Sequence, residues 1–129
     1  MKRYIPYLIL LLLIVLDATG DAWRVMGFSV LSHVAEVGII IGFVAIWKLF
    51  PFKWHYPIVY VLMRVWAFNL TLNTVIGLPA GYLGTSNLYD RGITWFAGVV
   101  HQAPGHFVFI LSFMALLATI GVIIKETRK

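Results

Sequence analysis

The sequence predicts an all-α integral membrane protein: a four-transmembrane-helix bundle with both ends on the cytoplasmic side. Three observations carry this. Hydrophobic residues make up 61% of the chain and charged residues 12%, against roughly 25% charged in a soluble domain. A chain of 129 residues has too high a surface-to-volume ratio to bury that much apolar surface, so the bilayer has to act as its solvent. Second, the apolar residues are gathered into four long runs. Third, Lys and Arg are gathered at one end of those runs, which is the pattern that sets orientation in a membrane. We read residues 1–129 as a single membrane domain, with spans at about 4–23, 26–50, 57–78 and 106–124 and an outer loop at 79–105.

The first apolar run, 4–16, follows Met1-Lys2-Arg3 in the manner of a signal peptide. Its cleavage end is poor, because Ala18-Thr19-Gly20 is flanked by Asp17 and Asp21, and a retained helix is expected. Thirteen residues rise only about 20 Å against a hydrocarbon core of about 30 Å. The helix therefore has to continue through both aspartates to about Trp23, carrying two carboxylates at the outer boundary. The second span closes at Pro51, within the basic and aromatic link Lys48-Leu49-Phe50-Pro51-Phe52-Lys53-Trp54-His55. Pro57 suits the first turn of the third span, and Pro79 and Gly81 close it. The fourth runs from about His106 into the basic tail 125–129.

Seven of the ten Lys and Arg residues (Lys2, Arg3, Lys48, Lys53, Lys125, Arg128 and Lys129) fall on one side. Arg24 and Arg91 fall on the other, and Arg64 lies within a span. The positive-inside rule then puts both termini and the link between spans two and three in the cytoplasm. Trp23, Trp47, Trp54 and Trp95 lie near the predicted interfaces, as an aromatic belt requires. The outer loop 79–105 is long for a simple connector. Its apolar stretch predicts a short interfacial or re-entrant helix at 94–100. The compact loops and charge bias suggest a bacterial inner membrane.

These features exclude several classes. The net charge of +5 is split into short clusters between apolar runs, so no nucleic acid is expected as a partner. With no cysteine, disulfides, thiolate metal sites and redox thiols are excluded. The expected partners are membrane lipids and a membrane protein, or a second copy of the chain.

Ionisable groups inside spans are expensive and point to function. Asp17 and Asp21 share one face of the first helix at i, i+4, and His33 and Glu36 share one face of the second at i, i+3. Asn69 and Asn73 on the third helix reach the same level. Asp90 and His101 in the outer loop, with Tyr82, Asn87, Tyr89 and Arg91, and His106 at the start of the fourth helix, complete a polar cluster in the outer half. Arg64 sits about two turns above the cytoplasmic end, within reach of Glu36. One reading is a divalent metal site with Asp17, Asp21, His33 and Glu36 as ligands and His101 or His106 completing the set. Water on such a metal would hydrolyse a lipid head group at the outer leaflet. The favoured reading needs no cofactor: a structural network in which His33 donates to Asp17, Glu36 pairs with Arg64, and the two asparagines bridge helices. Gly38-Ile39-Ile40-Ile41-Gly42 is a small-xxx-small pattern suited to close helix packing. His55, beside Trp54 and Lys53, reads as an interfacial residue.

Two segments resemble lipoprotein signal peptidases, which are also four-span proteins with both ends inside. Leu16-Asp17-Ala18-Thr19-Gly20-Asp21 matches the Asp late in that family's first helix, and Asn87-Leu88-Tyr89-Asp90-Arg91 is similar to its Asn-x-x-Asp-Arg signature. The acids that complete the family's aspartyl pair have no counterpart after Arg91 or at Ile110-Leu111-Ser112-Phe113. The resemblance therefore implies shape and not peptidase activity. Three functional classes remain: a non-enzymatic membrane component, a metal-dependent hydrolase or transferase, and a small-molecule or ion conduit.

Overall fold

The computed structural model describes residues 3–79, 88–101 and 103–128. The described residues form helices joined by short links, without strands. Helix α1 is Ile5–Val25, α2 is Ser29–Leu49, α3 is His55–Ile76, α4 is Leu88–Val99 and α5 is Pro104–Thr127. Helices α1, α2, α3 and α5 are each long and apolar enough to cross a membrane. Each of the four overlaps one of the apolar runs of the sequence, with ends that differ by a few residues. The short helix expected within 79–105 begins earlier than the expected 94 and is wholly α-helical.

Local chemistry explains the ends. Helices α1 and α3 both stop at a glycine with a left-handed backbone, Gly27 (φ 87°) and Gly77 (φ 81°). At the first, Gly27 N–H donates to the Arg24 carbonyl and Phe28 N–H to the Trp23 carbonyl. At the second, Gly77 N–H donates to Thr74 and Leu78 N–H to Asn73. Both are Schellman closures, which satisfy carbonyls that a helix end otherwise leaves bare. Gly77 therefore ends α3 before Pro79 is reached. Helix α5 opens on Pro104, whose missing N–H costs nothing at a first-turn position.

Packing follows an order that the chain order does not suggest. Helix α1 packs against α2 on one side and α3 on the other, α3 packs against α5, and α4 lies on α5. No extended interface joins α2 to α5 among the described residues, so the four long helices form an open row. The apolar core lies between α1 and α3, where Tyr7, Leu10 and Ile14 meet Tyr56, Val59, Met63 and Ala67. The outward faces are apolar too. On α2 a stripe of Val30, Val34, Val37, Ile41 and Val44 is exposed, and on α5 Phe109, Phe113, Leu117, Ile120 and Ile124. Stripes at helical spacing that point away from the core are what a lipid-facing helix carries.

Between α1 and α2 the contact is made by small residues. A Cβ built on Gly20 would stand 2.9 Å from the Cβ of Ala35, one on Gly38 2.9 Å from Leu16 Cδ2, and one on Gly42 2.3 Å from Leu13 Cδ2. The Gly38–Gly42 pair therefore receives two leucines of α1, and the close backbone approach gives dispersion contacts where lipid offers no hydrophobic drive. A valine at Gly42 has to displace Leu13, which is itself buried. We expect Gly42→Val to lower stability by about 1–3 kcal/mol, measured as a drop in thermal midpoint in detergent. An unchanged midpoint would show that α1 and α2 do not pack at this register.

Candidate functional site

Charged groups meet where α1, α2 and α3 run side by side. Asp17 lies twelve residues into α1 and Arg64 nine residues into α3, about 14–18 Å from the end of the molecule that carries the termini. That is close to half the thickness of a hydrocarbon core of about 30 Å. Arg64 Nη1 donates to Asp17 Oδ2 across the two helices. Arg64 also opens a π-helical segment, Arg64–Phe68, and its guanidinium lies 4.3 Å from the centre of the Phe68 ring. A π-turn widens the helix locally and re-aims the side chains that follow, a device common at functional positions. One face of the guanidinium is thus covered by an aromatic ring and one edge by a carboxylate.

The network continues toward the opposite end. Arg24 Nη1 lies 3.6 Å from Asp21 Oδ1, and Arg24 Nη2 donates to Glu36 Oε1 on α2. His33 Nδ1 donates to the other Glu36 oxygen at 3.0 Å. Five ionisable side chains and one imidazole therefore line up as Arg64, Asp17, Asp21, Arg24, Glu36 and His33. The line is open on one side: the side chains of Asp17, Arg64 and Glu36 are 26%, 43% and 48% exposed.

Two expected pairings are corrected here. Glu36 does not bind Arg64, because Arg24 at the end of α1 is nearer in the chain and reaches it first. His33 does not donate to Asp17, because Glu36 is three residues away on its own helix face. The arginines occupy the carboxylates that the metal reading assigned as ligands, and no three His, Asp or Glu residues are grouped to hold a metal ion among the described residues.

The other candidates scatter. Asn73 is buried and hydrogen-bonded or in contact, while Asn69 is half-buried one turn earlier. Asp90 lies in α4, and its side chain is outside the described residues, as are Tyr82, Asn87 and Tyr89. His101 takes a left-handed backbone (φ 54°) directly after α4, with its N–H donating to the Gly98 carbonyl, so its visible role is to end that helix. His106 is exposed in the first turn of α5.

A second polar cluster escaped the sequence reading. His55, assigned to the interface, is only 3% exposed. The Tyr7 hydroxyl lies 2.9 Å from its Nε2, and Glu126 Oε2 lies 3.5 Å from its Nδ1. A carboxylate can only accept, so the ring proton belongs on Nδ1 and Nε2 is left to accept from Tyr7. The three residues come from α1, α3 and α5 and tie those helices together at the end that carries the termini. No local pattern announces them, since Tyr7 and His55 are 48 positions apart. The one usable hint is that Glu126 is an acid within a basic tail. Thr119 makes a smaller bridge between α3 and α5, accepting from Trp66 Nε1 at 3.4 Å.

Comparison with known proteins finds no match: not to a family model, to a curated protein or to a solved structure. The chemistry therefore has to be argued from the side chains themselves. Asp17→Asn leaves Arg64 charged and unpaired near mid-depth, and we expect a loss of about 2–3 kcal/mol, read from denaturation in detergent micelles. The double variant Asp17→Asn, Arg64→Leu should recover most of it, and equal losses in single and double variants would refute the pairing. Tyr7→Phe should cost about 1 kcal/mol in the same assay, the net worth of one buried hydrogen bond.

Proposed function

We propose that this chain is a non-enzymatic component of a membrane-protein assembly, and that the face bearing Arg64, Asp17, Asp21, Arg24 and Glu36 is where a second protein or a second copy packs. The observation that carries this reading is the open side of the charge network on spanning helices. Charged side chains at that depth face a bundle interior, a partner or water, because contact with hydrocarbon is costly. Among the described residues the row of helices leaves no fourth wall over them. A packed partner supplies that wall without requiring an enzyme, and the pairing of each carboxylate with an arginine leaves no free nucleophile or metal ligand set in the network.

The orientation belongs to the same proposal. Arg3, Lys48, Lys53, Lys125 and Arg128 lie at one end of the helices, which the positive-inside rule places in the cytoplasm. The network then lies in the outer half, and α4 caps the outer end of α5 in the manner of an interfacial helix. Compact connections with this bias suit a bacterial inner membrane. A conduit is the second reading, favoured by the same open face if water rather than protein covers it.

The absence of native cysteine makes both points testable on single-cysteine variants. Phe28→Cys, in the exposed turn between α1 and α2, should react with an impermeant maleimide on intact cells. Lys48→Cys should react only after permeabilisation, and the reverse pattern would invert the orientation. Native mass spectrometry from mild detergent should show the 14.6 kDa chain in a larger complex that dissociates in the Asp17→Leu, Arg64→Leu variant. A monomer in wild type, together with Glu36-dependent ion flux in liposomes, would replace the assembly reading by the conduit.

A further inference from the structure

At the end that carries the termini, three pieces of the chain enclose a cavity of about 430 Å³: the start of α1, the link between α2 and α3, and the last turn of α5. Arg3, Lys53, Tyr7, Tyr56 and Glu126 stand on its wall. Arg3 is fixed there, because its Nη1 donates to the Thr127 carbonyl at 2.9 Å. A guanidinium has five N–H groups, so this bond leaves others to face the cavity. The Glu126 carboxylate is turned toward His55 Nδ1. The charged groups presented at the wall are therefore two cations and one acid already facing an imidazole, which favours an anion.

A second space adjoins the first and is of opposite character. Between α2 and α3 runs a groove of about 410 Å³ with Leu10 of α1 as its floor and Phe43, Ile46 and Tyr60 among its walls. Phe50 and Tyr56 line both spaces, so the two lie side by side. The groove exists because α2 leans on α1 and meets α3 chiefly through the edge contact of Phe43 with Tyr60, whose ring centres are 5.5 Å apart. Each space is of the size that small-molecule sites occupy. A basic chamber at the helix ends beside an apolar groove along the helices matches an amphiphile whose anionic head and hydrocarbon tail are joined.

We propose that this is a binding site for an anionic phospholipid, with the phosphodiester on Arg3 and Lys53 and one acyl chain lying in the α2–α3 groove. The Arg3 guanidinium offers paired N–H donors to phosphate oxygens, and Lys53 adds a mobile ammonium. The acyl chain covers apolar side chains that the helices leave uncovered. The lipid then joins α2 to α3 where protein packing is thin. This site is independent of the charge network and of whatever covers it.

The test uses the full chain, delipidated in mild detergent, with dioleoyl phosphatidylglycerol, dioleoyl phosphatidylcholine and glycerol 3-phosphate added in turn. Native mass spectrometry counts retained lipid, and thermal unfolding reports stabilisation. Phosphatidylglycerol should be retained and should raise the midpoint, phosphatidylcholine should do so roughly tenfold more weakly, and glycerol 3-phosphate should do neither. Lys53→Gln, at an exposed link position, should weaken phosphatidylglycerol about tenfold without changing the lipid-free midpoint. Ile46→Trp, which fills the groove, should weaken both lipids. Equal retention of the two lipids would reduce the site to ordinary annular lipid and overturn the proposal. Stabilisation by glycerol 3-phosphate equal to that by phosphatidylglycerol would also overturn it, in favour of a soluble phosphate ester.

Discussion

Asp17 and Arg64 have to find one another. Each is a group that a hydrocarbon interior resists, they lie at similar depth on two helices, and their pairing fixes α1 against α3 in register. The pair formed by Tyr7 and His55 lies at the end of the same interface, and its sequence offset differs by only one residue. Two helices that run in the same direction keep such an offset constant, so the polar contacts at the two levels agree with one another and with the apolar core between them. Everything else is arranged around this parallel pair: α2 lies along α1 through its glycines, and α5 lies along α3.

The π-helical segment belongs to the same constraint. Arg64 begins it and Phe68 ends it, and the ring of Phe68 lies over the guanidinium of Arg64. Widening the helix at this point shifts the angular position of everything that follows, including Asn73, which is buried. An arginine held between a carboxylate and an aromatic ring is a fixed charge rather than one free to snorkel toward an interface.

The long helices were legible in the sequence because the bilayer imposes a length and a composition on every span, and both can be counted. Glycine and proline marked the ends to within a few residues, with Gly77 closing α3 where Pro79 was expected to. Neighbour relations were not legible. An apolar run states that a face is buried or lipid-exposed without saying which, and α2 and α5 turned most of theirs outward. Pairing was legible only where it was local. His33 with Glu36 follows from spacing on one helix, and Asp21 with Arg24 has the same i, i+3 relation. Glu36 was assigned to Arg64 because a long side chain reaches in several directions, and only the turn at Gly27 shows that Arg24 arrives first. Tyr7, His55 and Glu126 lie on three helices far apart in the chain, and nothing short of the fold brings them together.

The parallel pairing of α1 with α3 also sets a timetable. A ribosome delivers α1 first, and Asp17 then waits for an arginine 47 positions later in the chain. At roughly 5–20 residues per second that delay is about 2–9 seconds. Asp21 has no such wait, since Arg24 follows on the same helix, and α2 brings Glu36 to that arginine next. The hairpin of α1 and α2 therefore sets one arginine, Arg24, against three carboxylates, Asp17, Asp21 and Glu36. Arrival of α3 adds the network's second arginine at Asp17, so the order of synthesis makes that carboxylate the last to find its partner.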